Sequence, residues 1–171
     1  MRLARAAVAL VGLALILGLT NWDIAKKRSV IADGELLLLE LQPVDPRSLL
    51  QGDYMALALA EAAMPPAAVI ESLPYRGTVI LSLDEARVGR FVRLDDGSAP
   101  KTGELRVQYR RHEDWRGPRL DYGAQSFFFQ EGDAVLFQAA KYAVLRVAAD
   151  GGTVLTDLAD EQRQTITPDS K

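Results

Sequence analysis

Apolar and polar positions along the chain fall into two regimes. From Ala6 to Leu19 every position is apolar apart from Gly12 and Gly18. A run with no polar face predicts a helix that is apolar all round rather than one lying on a core. Beyond Gly34 the pattern breaks into short segments. Four leucines between Glu35 and Glu40, with Leu41 following, read as a buried strand that Pro43 and Pro46 stop. Asp53–Ala60 reads as a second strand. Thr78–Leu83 is rich in strand-forming residues, and Ala86–Leu94 continues into another strand. Glu104–His112 alternates Leu105, Val107 and Tyr109 with Arg106, Gln108 and Arg110, the pattern of a half-buried strand.

Arg119–Tyr122 and Gln125–Gln130 read as further strands, the latter placing Phe127, Phe128 and Phe129 on alternating faces. Phe128 then either faces solvent or lies under a helix. Tyr142–Ala148 and Thr153–Leu158 flank Asp150-Gly151-Gly152, a hairpin signal. Two short helices are expected. One runs over Ala67–Leu73, after Pro65-Pro66. The other runs from an Asp133 N-cap to about Lys141, with an apolar face of Leu136, Ala139 and Ala140. Ser29–Gly34 reads as a polar link, Glu113–Pro118 as a polar loop and the chain from Asp160 as a loose tail.

The predicted fold is therefore mainly β, a curled sheet or partly open barrel with one or two short helices, preceded by one N-terminal transmembrane helix. The expected organisation is an anchor with basic flanks over 1–28, a β-rich domain over 29–160 and a polar tail over 161–171. Arg5–Ile24 supplies about 20 residues, the length that spans a bilayer core, and Trp22 stands where an interfacial aromatic belongs. A cleaved signal peptide shares this layout, but Leu19-Thr20-Asn21-Trp22-Asp23 lacks the small residues that cleavage needs.

Charge sharpens the picture. The 171 residues carry a net −3. Residues 1–28 hold Arg2, Arg5, Lys26, Lys27 and Arg28 against Asp23, a sum of +4, so the remainder carries −7. An acidic domain gains nothing from phosphate counterion release, so nucleic acid is not an expected partner. Basic flanks suit lipid headgroups. Positive charge on both sides of the helix leaves orientation open by charge alone. The signal-peptide-like layout favours export. The absence of cysteines excludes disulfides and thiolate metal sites.

The most distinctive stretch is Pro43-Val-Asp-Pro-Arg-Ser-Leu-Leu-Gln-Gly-Asp-Tyr-Met-Ala-Leu-Ala-Leu59. It resembles the signature of the GDYxxLxY domain family, bacterial membrane-anchored proteins without an assigned activity. Gly52, Asp53, Tyr54 and Leu57 match, while Leu59 stands where the family usually has tyrosine. The resemblance implies a domain on the outer (periplasmic) face of the cytoplasmic membrane. It further implies work beside a multi-spanning membrane protein, with no established catalytic residues and no cofactor. On the residues themselves, Gly52 and Asp53 form a turn feeding a core strand. The alternative is a docking surface built from Asp45, Arg47, Asp53 and Tyr54.

Two kinds of enzyme chemistry find little support in the residues. A signal-peptidase-like protease needs a serine with a base in reach. The serine near the signature, Ser48, follows Pro46, and neither Lys101 nor Lys141 sits in a base motif. His112 is the single histidine, too few for a histidine-rich metal site. The segment Tyr109–Tyr122 combines Tyr109, His112, Trp115 and Tyr122 with arginines and acids. That is either an interface or ligand-binding loop or a strand end with Trp115 folded over the core. A non-enzymatic exported module is the leading expectation. A cell-envelope enzyme or ligand-binding domain using carboxylates and the Tyr109–Tyr122 loop is the alternative.

Overall fold

The computed structural model describes residues 2–42, 54–114, 117–130 and 132–168, with side chains from Leu10 onward and excepting Asp114. Helix α1 covers Arg2–Asp33, about 48 Å at 1.5 Å per residue. It is longer than expected, because the supposed link at Ser29–Gly34 is helical to Asp33. It closes with the Gly34 amide donating to the Val30 carbonyl at 2.9 Å. Among the described residues no helix is long and apolar enough to cross a membrane.

Among the described residues nine strands follow: β1 Glu35–Glu40, β2 Tyr54–Ala56, β3 Arg76–Leu83, β4 Gly89–Leu94, β5 Glu104–Asp114, β6 Gly117–Asp121, β7 Ser126–Phe128, β8 Tyr142–Val147 and β9 Thr153–Ala159. They form a three-stranded sheet ordered β1-β8-β9, a ribbon of β2 and β7, and a four-stranded sheet ordered β4-β3-β5-β6. Bridges tie these together. Leu38 pairs with Val88, and Leu41 pairs with Leu59. The sheets therefore curl round one core containing Leu37, Leu39, Val79, Leu81, Val107 and Leu145, each fully buried. The mainly β, curled fold expected from the pattern is the one observed.

The four consecutive leucines explain this junction. Leu37 and Leu39 face the main core, whereas Leu38 packs into a satellite cluster with Val88, Val144 and Ala159. A strand buried on both faces needs a continuous apolar run rather than alternation. Helix α2, Ala67–Ser72, follows Pro66 as expected and buries Ile70. The hairpin at Asp150 also forms, with Oδ1 of Asp150 accepting from the Gly152 amide at 2.9 Å.

Three expectations need correction. Helix α3 covers only Ala134–Phe137, and Asp133 makes no side-chain cap bond. Asp133 itself is in the right-handed helical region, whereas a capping side chain needs extended backbone at that position. The residue buried there is Phe137, while Val135 and Leu136 are exposed. Within the supposed loop at Glu113–Pro118 the described residues are strand, with Glu113 paired to Pro118 and Asp114 to Gly117. The tail is tied down as far as Ile166, whose amide donates to the Leu158 carbonyl at 2.9 Å and whose side chain packs on the core.

Candidate functional site

Of the signature residues, Asp45, Arg47, Gly52 and Asp53 lie outside the described residues. Tyr54 and Leu57 are described, and strand alternation separates them. Met55 and Leu57 point into the core, and Tyr54 and Ala56 point out. Tyr54 pairs with Phe128 across the antiparallel ribbon. Their rings meet at 5.8 Å between centroids, tilted by 40°. Both remain accessible, Tyr54 at 45% and Phe128 at 73%. The residues flanking Phe128, Phe127 and Phe129, pack instead on Phe137. Leu59, at the signature's last position, is buried, a place where a tyrosine hydroxyl would need a partner.

This aromatic pair lies along the chain path that leads away from α1. Strand β1 leaves α1 at Gly34 and runs about 20 Å to Leu41, where it meets Leu59. Residues 58–60 lie antiparallel to 40–42, and Tyr54 stands four residues before that pairing. Apolar Val135 and Leu136, exposed at 72% and 45%, precede β8, whose first residue Tyr142 pairs with Glu40, the last residue of β1.

The Tyr109–Tyr122 group is not gathered on one surface. Tyr109 is buried, with its ring across Gly77, the residue opposite it in β3. An aromatic covering a cross-strand glycine fills the gap left by the missing side chain. Tyr122 is fully buried and its hydroxyl donates to the Ala63 carbonyl at 2.8 Å. Burial raises the pKa of both phenols, so both stay neutral in ordinary buffers. His112 is partly buried, and its Nδ1 is enclosed with no hydrogen-bond partner among the described residues. It borders a cavity of about 330 Å³ with Met64, Arg119 and Gln125. Trp115 lies outside the described residues.

A larger groove, about 650 Å³, lies between α1 and the outer face of the β3–β5 sheet. The β8–β9 hairpin closes one end of it. The Gln108 amide donates to the Gly151 carbonyl at 2.8 Å, and its side-chain amide to the Asp150 carbonyl at 2.8 Å. Lys26 of α1 pairs with Asp150 at 3.0 Å, and Lys27 pairs with Asp23 at 3.1 Å. The Gly152 amide, and after it Lys26, hold the Asp150 carboxyl below the usual carboxylate range. Arg76 and Arg110 stand directly opposite one another in β3 and β5 and both line the groove. Nothing in the sequence pattern signals this pair, because only the strand register brings the two residues together. Among the described residues no group of three or more His, Asp or Glu side chains is placed to hold a metal ion.

A β-rich domain of three small curled sheets, carried on one long N-terminal helix and showing an apolar ribbon, defines a class of helix-borne β module. Residues 16–158 match the family described as GDYXXLXY protein, and the chain belongs to that family. No curated protein and no solved structure matches the chain.

Proposed function

We propose that this protein is a membrane-anchored, exported module that docks a partner, a multi-spanning membrane protein, rather than catalysing a reaction. The observation that carries it is the paired Tyr54 and Phe128, apolar rings left open to solvent, in a domain that also exposes Val135 and Leu136. Exposed aromatics grouped with aliphatic side chains are the composition of an interface core. Tyr54 also belongs to the family signature, which links that surface to the feature the family is named for.

The anchor reading draws on α1. Leu10, Val11, Leu13, Leu15, Ile16, Leu17 and Leu19 are each more than half exposed. They spread round the whole helix, and the apolar run begins at Ala6, ahead of the first described side chain. Leaving so much apolar surface in water is costly, at about 25 cal/mol per Å²; a bilayer removes that cost. The test fuses a reporter active only in the periplasm after Lys171, with a cytoplasmic reporter in parallel. In-cell crosslinking is then compared between the native chain and Tyr54→Ser/Phe128→Ser. Periplasmic activity and a crosslinked membrane protein lost in the double variant are expected. Cytoplasmic activity would overturn the exported location, and capture unchanged by the variant would overturn the docking face.

A ligand-binding envelope domain is the second reading, favoured by the His112 cavity with its enclosed Nδ1, unpartnered among the described residues. It predicts a small polar molecule whose stabilising effect on melting disappears in His112→Leu.

A further inference from the structure

The groove beneath α1 has a charge pattern that its own residues leave unresolved. Lys26 and Lys27 are neutralised by Asp150 and Asp23. Arg76 and Arg110 form no ion pair among the described residues; Arg76 lies over the Tyr75 ring, 5.7 Å from its centroid. Like charges directly opposite on neighbouring strands repel one another. Beside them Asp121, opposite Arg110 in β6, turns one oxygen to the Gly123 and Ala124 amides, at 2.7 and 3.0 Å. In a domain carrying −7 outside residues 1–28, two arginines set opposite one another on neighbouring strands, with no carboxylate partner among the described residues, offer a site for an anion.

The position of the groove indicates which anion. Its α1 wall is Asp23, Lys26, Lys27 and Val30, four to eleven residues past the apolar run that ends at Leu19. At 1.5 Å per residue that is about 6–16 Å, the depth of the headgroup layer and the water just beyond it. Planar guanidinium groups bind phosphate oxygens through paired hydrogen bonds.

We infer that the groove between α1 and the β3–β5 sheet binds a phosphate-bearing headgroup through Arg76 and Arg110, supplied by an anionic lipid of the leaflet from which α1 emerges. The lipid source rests on the membrane reading of α1 given above; the phosphate chemistry of the groove does not. Bound there, the headgroup relieves the Arg76–Arg110 repulsion and clamps the base of the helix to the sheet.

The test uses the full chain in a neutral detergent. Binding of short-chain phosphatidylglycerol, short-chain phosphatidylcholine and inorganic phosphate is measured separately. Arg76→Gln/Arg110→Gln is compared with the native chain, with Arg90→Gln on exposed β4 as the control. The expected result is phosphatidylglycerol binding about tenfold tighter than phosphatidylcholine, a preference lost in the double variant and kept in the control, and weakened by salt. No preference, or a preference that survives the double variant with an unchanged melting temperature, overturns the site. Inorganic phosphate binding as tightly as the lipid, with the same arginine dependence, overturns the lipid source and leaves a free-phosphate site. Flotation of the full chain with neutral phosphatidylcholine vesicles reports on the anchor separately, so loss of flotation counts against the membrane reading alone.

Discussion

Gly77 and Tyr109 make a pair whose energetics can be worked from the coordinates. A β-carbon added at Gly77 would stand 2.5 Å from the Tyr109 hydroxyl oxygen, 2.7 Å from Cζ and 2.8 Å from Cε1. All three contacts are to the far half of one buried ring, so the ring must move and disturb the core face shared with Val79 and Val107. Overpacking of this kind costs about 1–3 kcal/mol, while replacing glycine by alanine in a strand returns about 0.5–1 kcal/mol. Gly77→Ala should therefore destabilise the domain by about 1–2 kcal/mol, or several degrees in Tm. Tyr109→Leu keeps the residue apolar and removes the atoms that clash. In that background Gly77→Ala should turn stabilising by about 0.5–1 kcal/mol, giving a coupling of about 1.5–3 kcal/mol. Urea denaturation of the full chain and its three variants in neutral detergent measures the cycle. An equal destabilisation by Gly77→Ala in both backgrounds would refute the assignment of Tyr109 as the cover of this glycine.

The other predictions concern separate parts of the molecule. Tyr122→Phe leaves the Ala63 carbonyl buried without its donor and should cost about 1–3 kcal/mol, read as a lowered Tm; an unchanged Tm would place water in that bond. Phe128→Ser, at an exposed site, should shift stability by less than about 0.5 kcal/mol, so that any loss of partner capture is attributable to the surface and not to unfolding. Asp150 has its pKa depressed below 3.8 in the folded chain. Its contribution is thus fully present above the unfolded value and is lost as pH falls through the lower folded one. The drop in urea midpoint between pH 6 and pH 3 should be smaller in Asp150→Ala than in the native chain, and an identical drop would remove Asp150 from the acid response.

Much of the fold was legible because burial dictates residue type strand by strand. The β8–β9 hairpin was readable from Asp150-Gly151-Gly152, and β5 from its alternation. Period two set Phe128 on the face opposite Phe127 and Phe129 and left open whether it met solvent or a helix; it meets solvent. Where the pattern misled, tertiary packing decided. The apolar face expected for α3 assumed a long helix, but Phe137 alone fills the pocket beside Phe127 and Phe129, and the helix ends there. Ser29–Gly34 was read as a polar link, yet Val30, Ile31 and Ala32 between Ser29 and Asp33 are apolar and no helix breaker precedes Gly34, so α1 continues through them. The candidate site was less legible. Tyr109 and Tyr122 were candidates for a binding loop among arginines, although strand alternation already set Tyr109 with Leu105 and Val107, and both are core residues. Tyr122 is further fixed through its backbone carbonyl, which accepts from Thr153 Oγ1 at 2.5 Å. The Arg76–Arg110 pair depends on register between strands whose sequences lie some thirty residues apart, which no local pattern encodes.

The unbroken passage of α1 into the domain has a mechanical consequence. The helix reaches Asp33 and turns directly into β1 at Glu35, with Lys26 fastened to the β8–β9 hairpin on the way. A helix seated in a bilayer would then act as a mast and not as a tether. It would hold the aromatic pair at one height above the lipid and let it sweep only in two dimensions, as the tilt of the helix allows. Partners whose matching surface lies at that height would be met often, and those nearer to or farther from the membrane would be passed over, so that reach becomes a selection rule alongside chemistry. Flexible residues inserted after Asp33 would abolish that selectivity while leaving every contact surface intact.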